Sequence, residues 1–296
     1  MATTPQQQKQ RKQRLSNQHK PTLQFQNWAQ LLELFEHKQW EIDPDHDISL
    51  LSKFMNTLNL LNNEQQQFLI ELTKDFQWYD SRKYLDMMIK PLQDLRQSIG
   101  DKFIFFAQCL PNEDLGKNKS SARVLYDLAD SYLHQHVNMG RFQCINSVNE
   151  ANEQMLLDGK AVLVLVDDFV GTGDTAIKAL TELRGVHKRL QNYDSVKVLT
   201  LVAQSSGMEA ISNIGVDVFC SVKIGKGISD QPINDDEKYK KIVLMEGVER
   251  RINGLEKKYN FGYKGSEALV SMIRCPNNTF PIYWYIEGVS PYERKH

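Results

Sequence analysis

A chain of 296 residues, 41% hydrophobic and 25% charged, has the profile of a soluble globular protein with room for one or two domains. Its net charge of -1 argues against a dedicated nucleic-acid coat. No stretch approaches the roughly 20 apolar residues that span a bilayer, so an integral membrane protein is not expected.

Residues 1–20 are rich in glutamine and carry Lys9, Arg11, Lys12, Arg14 and Lys20 with almost no large apolar groups, which predicts a flexible basic tail. A weak nucleic-acid or partner-binding arm is the functional alternative there. No apolar stretch of signal-peptide length follows, so a cytoplasmic location is expected. Cys109, Cys144, Cys220 and Cys275 are far apart and form no Cys-x-x-Cys pair, which predicts reduced thiols rather than zinc ligands.

From Phe25 to Ile99 the apolar residues recur at helical spacing: Trp28, Leu31, Leu32 and Phe35, then Ile48, Leu51, Phe54, Met55 and Leu58. A third helix is predicted from a cap at Asn63 with Gln66 three residues on, burying Phe68, Leu69, Leu72 and Phe76. A fourth is predicted from Ser81, presenting Tyr84, Leu85, Met88, Leu92 and Leu95, with Pro91 kinking or dividing it. Residues 21–99 are therefore expected as a helical cap or a surface for a protein partner. Their acidic side chains outnumber the basic ones, which disfavours a DNA reader.

After Gly100 strands alternate with helices, the pattern of a mainly parallel sheet flanked by helices over 100–296. Strands are predicted at 103–110, 161–167, 196–203 and 216–224, and helices at 121–136, 175–191 and 207–214. Within this run, Leu163 to Thr175 reads Leu-Val-Leu-Val-Asp-Asp-Phe-Val-Gly-Thr-Gly-Asp-Thr. Four apolar residues place a strand in the sheet centre, Asp167 and Asp168 end it, and small and hydroxyl residues lead into a helix. In an open parallel sheet that strand end is where ligands bind. Gly171, Thr172, Gly173, Asp174 and Thr175 can turn backbone N–H groups and two hydroxyls toward one anion at the helix start. The carboxylates suit sugar hydroxyls or magnesium-bound water and would repel a bare phosphate. The arrangement predicts a phosphorylated sugar.

These thirteen residues resemble the 5-phosphoribosyl 1-pyrophosphate (PRPP) motif of type I phosphoribosyltransferases. They resemble the Walker phosphate loop less, because no Gly-Lys-Ser or Gly-Lys-Thr ends the turn. The resemblance implies that Asp167 and Asp168 hold the ribose 2- and 3-hydroxyls and that Gly171 to Thr175 hold the 5-phosphate. It implies a pyrophosphate loop after strand 103–110, where Lys117, Lys119, Ser120, Ser121 and Arg123 stand, and a mobile loop over 137–158. Magnesium would accompany PRPP. Two departures stand out: members acting on 6-oxopurines carry a carboxylate where this chain has Gly171, and Asp174 adds a negative charge beside the phosphate unless its carboxylate turns away to cap the helix.

The C-terminal third, with Gly262, Tyr263, a strand-like 268–274 and the run Cys275-Pro276-Asn277-Asn278-Thr279-Phe280-Pro281, resembles phosphoribosyltransferase-like proteins of prokaryotic conflict systems, some of them retron-associated. The resemblances together imply a protein that binds PRPP or a 5-phosphorylated nucleotide and transfers ribosyl phosphate or cleaves an N-glycosidic bond as a defence effector. The alternative is a catalytically inactive sensing module. A homo-oligomer is compatible with either.

Overall fold

The computed structural model describes residues 25–42, 49–114, 119–190 and 192–294. The predicted tail, 1–20, lies outside them, as does Lys117. Three helices come first, α1 (Phe25–Lys38), α2 (Leu50–Leu58) and α3 (Asn63–Thr73). A short strand β1 (Gln77–Trp78) precedes α4 (Tyr84–Ile99) and β2 (Phe103–Gln108). Next are α5 (Ser121–Asp127), α6 (Ser131–His136), β3 (Phe142–Cys144) and α7 (Glu153–Leu157). The central strand β4 (Ala161–Val170) leads to α8 (Asp174–Val186), β5 (Val196–Gln204), α9 (Ser205–Ser212) and β6 (Asp217–Ile224). The described chain closes with α10 (Asp235–Glu249), β7 (Val270–Ser271) and an irregular segment.

Two compact units result. Residues 77–231 and 261–279 form a sheet unit; the described parts of 1–76, with 232–260 and of 280–296, form a helical unit. The expected boundary near residue 100 therefore falls inside the sheet unit. The reason is α4, whose Tyr84, Met88, Leu92 and Leu95 are buried in one cluster with Val164, Val166 and Leu201 of the sheet. An amphipathic helix shows its apolar stripe in sequence but not the surface that covers it.

In the sheet unit five strands run parallel in the order β3-β2-β4-β5-β6. From β2 the chain first moves outward to β3, then returns across β2 to β4. That reversal makes the carboxyl ends of β2 and β4 the switch point of the sheet, where a crevice opens in folds of this kind. β4 is buried on both faces because helices cover each side. Its Val162, Val164 and Val166 join the cluster with α4, while Leu163 and Leu165 join Ala176, Leu180 and Leu183 of α8. Alternation along the strand consequently sends Asp167 and Asp168 to opposite faces.

Several predicted elements differ from those observed. The helix expected over 121–136 is two, because the Asp130 carboxylate accepts the Tyr132 N–H at 2.8 Å and starts α6 afresh. The cap of α3 is Asn62, paired reciprocally with Gln65, one residue before the expected pair. The fourth helix starts at Tyr84 and continues through Pro91, whose ring is buried with its neighbours. The mobile loop expected at 137–158 contains β3, paired with β2, and α7, since Ile145, Ala151 and Leu156 are buried in the core. Of the strand expected at 268–274 Val270 and Ser271 form a strand, paired with β1, and Ala268 makes an isolated bridge to Thr279.

In the helical unit Phe35, Trp40, Phe54, Phe76, Tyr283 and Tyr292 form one aromatic core, with Phe76 and Tyr292 stacked at 4.9 Å between centroids. Fully buried Asn27 donates its Nδ2 to Asn63 Oδ1 and Gln66 Oε1, at 2.9 and 2.8 Å. Among the described residues, no helix is long and apolar enough to cross a membrane.

Candidate functional site

The carboxyl end of β4 opens on a cavity of about 290 Å³ bordered by Asp167, the turn Gly171 to Thr175, and Tyr263, Asn277 and Asn278. Gly173 makes the turn possible: its φ of 83° is open to glycine and unfavourable for a side chain. It is also the N-cap of α8 and offers no side-chain hydrogen bond to the first amides of the helix. Those amides and the helix dipole thus remain available to an anion. Gly207 of α9 backs the turn so closely that a Cβ there would stand 2.0 Å from the Gly171 carbonyl oxygen.

The two carboxylates have different surroundings. Asp167 faces the cavity and its Oδ1 accepts the Asp168 N–H at 2.9 Å. Asp168 is 3% exposed; its Oδ1 accepts from Ser120 Oγ at 2.6 Å and its Oδ2 from Tyr84 Oη at 2.8 Å. Burial, then the charge of Asp168, pushes the Asp167 carboxyl well above the ordinary carboxylate range. Burial raises Asp168 too, against the pull of its two hydroxyl donors. The pair titrates as a unit and retains a proton to higher pH than isolated carboxylates do.

The remaining candidates are placed as follows. Asp174 does not cap α8: its carboxylate lies 2.6 Å from Lys264 Nζ, at the start of a loop the sequence did not connect with it. Ser120 reaches the acidic pair, whereas Ser121 Oγ donates to Gln108 at 3.1 Å and is buried. Lys119 Nζ pairs with Asp114 at 2.9 Å while its charge favours ionised Asp167. Arg123 pairs with Asp127 on its own helix at 2.8 Å. Thr172 and Thr175 line the cavity with Gly171 and Gly173. Among the described residues no group of three or more His, Cys, Asp or Glu side chains is placed to hold a metal ion.

Sequence reasoning missed Tyr84, Tyr263 and Lys264 as site residues. Tyr84 donates to Asp168 and accepts the Ile273 N–H at 3.2 Å, so one buried hydroxyl satisfies two groups. Tyr84→Phe is expected to leave both unpaired and lower stability by about 2–3 kcal/mol, read as an earlier urea midpoint at unchanged slope. An unmoved midpoint would contradict the network.

A parallel sheet whose switch point carries an acidic pair and a turn of small residues defines the type I phosphoribosyltransferase-like class. The chain belongs to the PRTase-CE family, which it matches over residues 51–293. Among solved structures it is similar to the xanthine-guanine-hypoxanthine phosphoribosyltransferase of Helicobacter pylori, at 12% identity and a TM-score of 0.30, covering 50% of this chain and 84% of that one. It is similar to a hypothetical protein from Neisseria gonorrhoeae with bound ppGpp, at 14% identity and 0.34, over 58% of this chain and 97% of that one. A third is the AQ2163 protein from Aquifex aeolicus, at 16% and 0.28, over 66% and 90%. No curated protein matches the chain.

Proposed function

We propose that the cavity at the end of β4 binds PRPP or a 5-phosphorylated nucleotide. The observation that carries this reading is the uncapped helix start behind Gly171 to Thr175, facing the same cavity as Asp167. The amides of the turn suit the 5-phosphate, and the Asp167 carboxylate suits the ribose diol. Ser120, whose Oγ donates to Asp168, supports reading the residues just before α5 as pyrophosphate contacts. Lys119 is the cation there that acts on Asp167.

Magnesium fits as a companion of the ligand, with Asp167 as the carboxylate at the cavity, and when bound it would neutralise pyrophosphate charge. In the enzymatic form of this reading the chain orients the ribose and excludes water while a nucleophile displaces the C1 substituent. The sensing form keeps binding without turnover, and two observations favour it: Asp168 is taken up by Ser120 and Tyr84, and Gly171 offers no proton acceptor. A defence role, with a protein partner recruited by the helical unit, rests on the resemblance of the Pro-Asn-Asn-Thr run.

Calorimetry of the full chain with magnesium and PRPP tests the reading. The Asp167→Asn, Asp168→Asn variant is expected to lose at least about tenfold in affinity, the scale of one or two charged hydrogen bonds. Binding of no phosphoribosyl ligand by the wild type, or equal binding by the variant, would overturn it. Release of pyrophosphate with a base present identifies the enzyme; binding without release identifies the sensor.

A further inference from the structure

We infer that segment 261–279 is the outer wall of the phosphate pocket and gives a bound phosphate two things: a neutral donor from Asn278 and a counter-charge from Lys264 that cancels Asp174. The inference rests on reading Gly171 to Thr175 as the phosphate site and adds residues that reading does not use. Asn278 is 8% exposed, borders the cavity, and its Nδ2 has no hydrogen-bond partner. A buried donor left unpaired is costly, and native folds rarely keep one without a use. Its carboxamide lies flat against Gly171, where an added Cβ would stand 2.3 Å from Asn278 Cγ. The amide therefore occupies the room that a side chain at 171 would need.

The segment is built to hold that amide still. The Asn278 carbonyl accepts from Ala268 N–H at 3.0 Å and Ser266 Oγ at 2.8 Å, and the Asn277 carbonyl accepts from Tyr263 N–H at 2.8 Å. Gly262, at φ 80°, admits the Asn278 carbonyl where a Cβ would meet it at 2.0 Å. Phe261, Lys264 and Glu267 all take positive φ, a conformation that persists only where surrounding contacts enforce it. The turn at Lys264 brings its ammonium 2.6 Å from Asp174 in the first turn of α8. Asp174 alone would repel an anion at that helix start; paired, it adds no net charge.

The test is calorimetry of the full chain with ribose 5-phosphate and with inorganic phosphate, alongside thermal melting. Asn278→Ala is expected to weaken ribose 5-phosphate about tenfold without lowering the melting temperature, because a group unsatisfied in the ligand-free fold is removed. Lys264→Gln is expected to weaken both ligands about fivefold, and Lys264→Gln with Asp174→Asn to return within about twofold of the wild type. Wild-type binding that all three variants share unchanged would overturn the role of 261–279 and leave the phosphate reading standing. Loss in Lys264→Gln that Asp174→Asn does not restore would overturn the charge cancellation. A wild type that binds neither ligand would overturn the phosphate reading and this inference together.

Discussion

Gly207→Ala is expected to lower the stability of the sheet unit by about 3 kcal/mol and to abolish ligand binding, although Gly207 does not line the cavity. The cause is geometric. The new Cβ would lie 2.0 Å from the Gly171 carbonyl oxygen, 2.9 Å from its carbon and 3.1 Å from the Gly173 nitrogen, all backbone atoms. A flexible side chain could move aside; the turn can relieve the overlap only by shifting, and its amides are the proposed anion contacts. Differential scanning calorimetry and phosphate titration read the two effects. Gly185→Ala, with nothing within 4 Å of its Cβ, is the matched control and should leave binding as it is. A Gly207→Ala protein with wild-type melting and binding would contradict the packing of α9 behind the turn.

Asp167→Asn is expected to make the ligand-free protein more stable at neutral pH while weakening its ligand. Burial, helped by the charge of Asp168, raises the Asp167 carboxyl above its unfolded value of roughly 3.9. A carboxyl raised in the folded state contributes its full stability below the unfolded value, and this contribution is lost as pH rises through the folded one. Wild type and variant should thus converge in acid and diverge toward neutral pH, with the variant the more stable. The asparagine keeps an oxygen for the Asp168 N–H, so the local hydrogen bond survives. Urea midpoints across pH 3.5 to 8 check this; a variant that is less stable at every pH would show that the Asp167 charge holds the fold together.

Much of the sheet unit was legible because its signals are local. An apolar run of four, an acidic pair and a glycine-rich turn lie within thirteen residues, and an unbroken apolar run bounded by turn residues is the pattern of a strand buried on both faces. What escaped was long-range. Tyr84 reads as one more apolar position on an amphipathic helix, and nothing nearby says that its hydroxyl meets Asp168, 84 residues on. Asn278 stands in a run that reads as a turn, and its place against Gly171 depends on a backbone of positive φ values at residues other than glycine. The boundary expected at 100 falls within the sheet unit for the same reason: the stripe on α4 resembles those of α1 to α3, and periodicity reveals a buried face without its cover. Asp130 could have been read as a helix restart, since a carboxylate two residues before an amide is a familiar cap.

The most direct test of phosphate binding at Gly171 to Thr175 is a crystal structure of the full chain grown with magnesium and PRPP or a nucleoside 5-monophosphate. The 5-phosphate is expected within hydrogen-bond distance of the backbone amides of Thr172 to Thr175, with the ribose diol at Asp167 and Asn278 Nδ2 turned to the ligand. A ligand bound elsewhere, with the turn at Gly171 to Thr175 empty at saturating concentration, would contradict it.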